Sequence, residues 1–284
     1  MNVLILISII ATAAFQNIFR KEYMRRGKST VLLFNAIASA CAAIFLLFSS
    51  IGNLEFSIDF LPYSLAYAAA SICVNLFSIL AIATGPLSLT SFFMSYSLLL
   101  PTLYGIIFLD EKITVTMIIA LVLFFISAAL ANIERRGEPK KITARWILFV
   151  LLALLGTGFT SIIQKAEQIR FNGSYKNEFM MVSFIIISAV MVVVSLIFER
   201  GHIAQSIKCT VAFASLTGAA SGIINLLIMV LTGLMAASLM FPAISAGGIV
   251  AAFLVAIVYK ERLSPCQYAG AALGTVAVIL FNIG

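Results

Sequence analysis

The sequence predicts an all-α integral membrane protein, with ten transmembrane helices arranged as two inverted five-helix repeats. Three observations lead there. Of the 284 residues, 62% are hydrophobic and only 10% are charged, too few polar groups to cover a water-soluble domain of this length. Long apolar stretches recur along the chain, most of them near the ~20 residues that carry a helix across a bilayer. Finally, residues 60–134 overlay on 210–284 without a gap, and the matched stretches lie five apolar segments apart.

The predicted spans are 2–19, 30–50, 60–83, 86–108, 114–132, 145–165, 178–198, 209–231, 236–259 and 264–283, and the gaps between them are too short for an extramembrane domain. Helix is the expected element because lipid offers no water to unpaired backbone groups. The first span, "MNVLILISII" at its start, has no Lys or Arg before Arg20. It therefore reads as a retained helix, since a signal peptide opens on a positive region. It ends near Gln16 and Asn17, and the second span holds Asn35. The third carries Tyr67, Ser71, Asn75 and Ser78 at spacings of four, four and three, which puts them on one face. In the fourth, Ser88, Ser91, Ser95 and Thr102 share a face and Tyr96 adjoins it. Pro101 removes a backbone hydrogen bond near its middle and marks a candidate hinge.

The fifth span starts after "FLDEKIT", where Thr114 is a candidate cap. The sixth carries Thr160 and Gln164 and ends on Lys165, which corresponds to Lys21 in the first half. Cations at helix ends either snorkel to the interface or meet an anionic group of a substrate. The seventh is apolar, whereas the eighth repeats the polar stripe with Thr217, Ser221 and Asn225, beside Ala214, Gly218 and Gly222 at close-packing spacing. The ninth has Ser238 and Ser245, with Pro242, Gly247 and Gly248 as candidate hinges. Before the tenth, Ser264, Pro265 and Gln267 form an N-cap, N1 proline and capping box.

The overlay contains fourteen identities in 75 positions, among them Ser71/Ser221, Asn75/Asn225, Ser95/Ser245, Glu111/Glu261 and Asn132/Asn282. Apolar bias does not produce paired Ser, Asn and Glu in one register. "FQNIFRK" (15–21) likewise faces "FTSIIQK" (159–165), so the repeat divides the chain into 1–138 and 139–284. Because five is odd, the second copy enters the membrane from the opposite side. Inverted repeats of this kind hold substrate at the midplane between two halves. The polar stripes at Asn35, Tyr67, Ser71, Asn75, Ser91, Ser95, Tyr96, Thr160, Gln164, Ser221, Asn225 and Ser245 are the candidate substrate-binding residues. Unpaired amides in lipid cost roughly 2–7 kcal/mol, so these faces look either at a polar cavity or at hydrogen-bonding helices.

Alternate loops hold 14 and 4 of the 18 Lys and Arg residues. The basic set is expected on the cytoplasmic side of the plasma (inner) membrane, with both termini outside. The formal charge of +7 then reflects contact with anionic lipid rather than nucleic acid. Cys41, Cys73, Cys209 and Cys266 stand alone without metal or disulfide spacing, and His202 is the only histidine, in a predicted loop. No cofactor or metal is expected. Without a nucleophile–base pair or acids inside the spans, neither an intramembrane enzyme nor proton coupling through a buried carboxylate is indicated.

"YKERLSPCQYAGAALGTVAVIL" resembles the last helix hairpin of the EamA-type drug/metabolite transporters, and "FLDEKITVTMIIALVLFFISAAL" is similar to the matching hairpin of their first half. "LLGTGFTSIIQK" resembles the family's sixth helix. The resemblance implies ten helices in two halves, with helices 1–4 and 6–9 around a pathway and 5 and 10 peripheral. It also implies export or uptake of a small metabolite. A lining of amides, hydroxyls and tyrosines points to a neutral or zwitterionic one, such as an amino acid, moved by alternating access. The alternative is a membrane scaffold or accessory subunit that transports nothing.

Overall fold

The computed structural model describes residues 2–26, 30–51, 54–55, 57–132, 142–260 and 263–283, with the side chains of 87, 88, 204 and 205 excepted. Its helices are α1 (Asn2–Arg25), α2 (Val31–Ser49), α3 (Leu61–Thr84), α4 (Leu87–Ser95), α5 (Leu99–Phe108), α6 (Val115–Ala131), α7 (Ala144–Phe171), α8 (Lys176–Phe198), α9 (Arg200–Leu234), α10 (Ala237–Val258) and α11 (Pro265–Ile283). Among the described residues nine helices are long and apolar enough to cross a membrane, α4 and α5 counting as one, and α6 is a shorter apolar helix of 17 residues. Large apolar side chains face outward, Phe198 at 75% exposure and Phe108 at 72%. The chain is an all-helical, multi-pass membrane protein. Glu261 and the expected boundary at 138–139 lie outside the described residues.

Helix ends differ from the predicted spans because hydropathy measures the apolar stretch, not the helix. Arg, Lys, Glu and Gln are good helix formers, so α1 runs past residue 19 through Arg20–Arg25 and α7 runs past 165 to Phe171. By the same extension α9 begins at Arg200, and His202 lies in its first turn rather than in a loop. Where the chain must stop, local chemistry does it. Asn172 and Gly173 both take left-handed φ, at 50° and 79°, and end α7. Thr114 caps α6 by accepting from Met117 N, and Ser264 with Gln267 forms the expected reciprocal box before α11.

The fourth predicted span is broken. A single 3₁₀ turn, Tyr96–Leu98, joins α4 to α5. Pro101 has no N–H to offer the carbonyl of Ser97, four residues earlier, and its ring crowds that carbonyl. The Thr102 hydroxyl donates to Leu98 O at 2.8 Å beside the break. Pro242 sits in the first turns of α10, which continues without interruption through Gly247 and Gly248.

Packing joins distant parts of the chain. Helix α1 lies on α9 and α10, α2 on α8 and α9, α3 on α7 and α8, α5 on α10, and α6 on α11. In lipid the hydrophobic effect does not drive these contacts, so close van der Waals fit and interhelical hydrogen bonds must. A Cβ at Gly218 would run into the Ala38 carbonyl, and one at Gly222 would meet the Phe45 ring at 2.7 Å, so α2 and α9 touch backbone to backbone. One apolar cluster gathers Leu98, Phe124, Met240 and Phe281; another gathers Phe60, Phe179, Met180 and Met191.

Acidic side chains clamp helix starts from other helices. Glu199 accepts from Leu32 N and Leu33 N at 2.8 and 2.9 Å, and Glu111 accepts from Ala237 N and Ser238 N at 2.7 and 2.8 Å. The sequence gives Glu111 a place beside the start of its own following helix; in the fold it caps α10 instead. Lys165, 8% exposed, donates to the last carbonyls of α9, Thr232 O and Met235 O, at 2.8 and 2.9 Å. Held there, it does not snorkel.

Candidate functional site

A cavity of about 220 Å³ lies between α1, α2, α3, α8 and α9. Helix α3 contributes Tyr67, Ser71 and Asn75, α9 contributes Ser221 and Asn225, and α2 contributes Asn35. Six of the twelve predicted binding residues therefore share one site. Helical spacing of four aligns each stripe, and the packing of α3 on α8 and of α2 on α9 turns the stripes toward each other. Phe184, Ile187 and Ala38 complete an apolar wall.

The matched asparagines differ in their bonding. Both donate to the carbonyl one turn back, Asn75 Nδ2 to Ser71 O and Asn225 Nδ2 to Ser221 O, each at 2.9 Å. Asn225 Oδ1 additionally accepts from Tyr67 OH at 3.4 Å and from Gln164 Nε2 at 3.3 Å. It thereby links α3, α7 and α9. Asn75 Oδ1 makes no hydrogen bond among the described residues and faces the cavity, and the Asn35 side chain makes none either.

Two residues of α1, Gln16 and Arg20, line the same cavity and are absent from the sequence-predicted set. Gln16 donates to Ser221 Oγ. Arg20 was assigned by its sequence to the basic loop, because a run of cations ordinarily marks a helix end. The signal that could have found it is its spacing of four from Gln16. A second space of about 200 Å³ shares Arg20, Asn35 and Asn75 and reaches Tyr23, Met24 and Val31, where α1 ends and α2 begins.

The other predicted residues lie elsewhere. Ser91, Ser95 and Ser245, with Gly248, line a separate cavity of about 450 Å³ between α4, α10, α11 and the end of α6. Its lining holds no charged side chain among the described residues. Ser95 Oγ donates to Ser91 O at 3.0 Å, and Tyr96 stacks on Phe125 at 4.7 Å between centroids. Thr160 returns its hydroxyl to Thr157 O at 2.7 Å, and buried Gln164 sits behind Asn225. The larger space is the less chemically specific one: its polar groups are few and largely bonded locally, whereas the smaller cavity converges amides, hydroxyls and a cation.

Helix α7 also carries a carboxylic acid inside the bundle, two residues past the end of the predicted sixth span. Glu167 is 0% exposed, and neither of its oxygens has a hydrogen-bond partner among the described residues. Glu178, 3% exposed, accepts from Glu55 N at 3.1 Å. Sequence reasoning missed Glu167 because it stops counting two residues earlier, at Lys165.

No family model matches the sequence, and no curated protein matches it. Among solved structures 29 chains match. One, described only as the crystal structure of a protein, is similar with a TM-score of 0.72 at 12% identity, covering 99% of this chain and 96% of the other. At that identity the likeness is one of fold, and it extends over essentially the whole chain.

Proposed function

We propose that the protein is a secondary transporter of the EamA type, a carrier for a small zwitterionic or neutral metabolite such as an amino acid. Ten spans form two inverted halves, 1–138 and 139–284, which alternate access to a site between them. One observation carries this reading: a polar cavity inside an apolar helical body draws its wall from α1–α3 on one side and α8–α9 on the other. A scaffold has no need of converging groups without protein partners.

Local geometry supports the repeat. Positions one repeat apart behave alike: Asp110 and Lys260 both have φ of 52°, and Asn132 and Asn282 each donate to the carbonyl four residues back. Helix contacts pair in the same way, α1 on α9 beside α7 on α3. By loop charge the basic end is cytoplasmic, with both termini outside in the plasma membrane. The cavity then extends toward the cytoplasmic end, while Lys165 and Glu111 tie α7, α9, α5 and α10 together at the other. Alternation requires those ties to release.

The test is flux in proteoliposomes. Radiolabelled amino acids should cross vesicles containing the protein faster than protein-free vesicles, and saturably. Absence of saturable flux for every amino acid and for a nucleoside, sugar and quaternary-amine panel, from protein that remains folded, rejects the carrier.

A further inference from the structure

The cavity is lined by a cation that meets no acid among the described residues. Helix α1 ends with Arg20, Lys21, Arg25 and Arg26, and three of these have partners. Lys21 and Arg25 lie over the Tyr259 ring at 4.6 and 5.4 Å. Arg25 and Arg26 reach Glu22 at 3.5 and 3.3 Å, and Arg26 also covers Phe213 at 4.8 Å. Arg20 makes no ion pair, hydrogen bond or ring contact with any described residue. It is the one of the four that lines both adjoining spaces, where its side chain stays exposed.

The Arg20 side chain stays exposed, so its guanidinium is open to a ligand that enters the cavity, and an anion is what it would bind in exchange for water. No Asp or Glu lines either space among the described residues. We infer that Arg20 is the anion-binding residue of the cavity and takes the carboxylate of the transported metabolite. The inference rests on the reading of this cavity as the substrate site and narrows it: the substrate bears a carboxylate. A guanidinium presents parallel N–H donors that match both oxygens of a carboxylate. Across the cavity Asn75 Oδ1 is an acceptor without a protein donor, suited to an ammonium, and Phe184 and Ile187 offer apolar contact. A donor fork, a free acceptor and an apolar wall together describe an α-amino acid with an uncharged side chain. The volume, equal to that of roughly seven waters at about 30 Å³ each, suits a ligand of that size.

The experiment is a thermal-shift titration of the purified full-length protein with alanine, leucine and phenylalanine, with their C-terminal amides, and with propionate, 4-methylpentanoate and 3-phenylpropionate. Wild type, Arg20→Gln, Arg20→Lys and Asn75→Leu are compared. At least one free amino acid should raise Tm while its amide does not. Arg20→Gln should weaken that ligand about tenfold or more, the scale of a hydrogen bond to a charged group, and Arg20→Lys should restore part of the shift. Protection by an amide equal to that by its acid, or protection retained in Arg20→Gln but lost in Asn75→Leu, overturns the inference and leaves the cavity as the binding site. Protection lost in Arg20→Gln but unaffected by Asn75→Leu keeps the anion site and overturns its location in this cavity. No shift with any of the nine ligands overturns both. A lower ligand-free Tm in a variant is handled by circular dichroism and by reading each titration against that variant's own baseline.

Discussion

The two matched asparagines show how one residue type serves two ends. Asn225 has both amide ends engaged, so Asn225→Leu takes the acceptor from the Tyr67 hydroxyl, leaves the Gln164 amide only the Met180 sulfur, and should lower stability by about 1–3 kcal/mol, read by thermal unfolding in detergent. Asn75→Leu removes only a bond to its own helix and should leave unfolding nearly unchanged while abolishing saturable flux. Equal destabilisation by the two would mean that Asn75 also links helices. Glu167 gives the opposite case, a buried acid with no partner among the described residues. Glu167→Gln keeps the shape and removes a chargeable group, so Tm should hold or rise; a fall would reveal an interaction with the carboxylate.

The helices owe their ends to each other as much as to their own caps. Glu199 satisfies two amides that α2 cannot bond within itself. Glu199→Ala should cost about 0.5–2 kcal/mol, the range for losing a cap, with faster hydrogen exchange at Leu32 and Leu33 as the local readout. The contact of α2 with α9 depends on absent atoms. Gly218→Val places methyls where the Ala38 carbonyl lies, and overpacking of this kind costs about 1–3 kcal/mol. The measurable result is a lower Tm and loss of the cavity that α2 and α9 both line. Gly201, whose added Cβ meets nothing, is the matched control, and Gly201→Ala should be neutral.

For the whole molecule, the charge asymmetry of the loops makes one prediction that stands apart from substrate: a cysteine introduced at Gly137, in the basic stretch between α6 and α7, should react with a membrane-impermeant maleimide only after cells are opened. Labelling of intact cells reverses the orientation. Much of the architecture was legible in the chain because its causes are local or periodic. Apolar runs near the bilayer length, Thr114 and Ser264 as caps, and stripes at spacings of three and four all follow from a residue and its near neighbours. The site was half legible for the same reason: Asn35, Tyr67, Ser71, Asn75, Ser221 and Asn225 sit on predicted polar faces, but a face does not say what it looks at. Ser91, Ser95 and Ser245 form equally regular faces and line another space. Arg20 and Glu167 were hidden because hydropathy ends a span at the first charges, whereas hydrogen bonding lets the helix run on. By itself, then, the sequence determined the apolar spans, the local caps at Thr114 and Ser264 and the polar stripes along the helices. Which faces converge, that Glu111 and Glu199 cap other helices, and that Arg20 lines the cavity were decided by tertiary packing, since each depends on contacts between residues far apart in the chain.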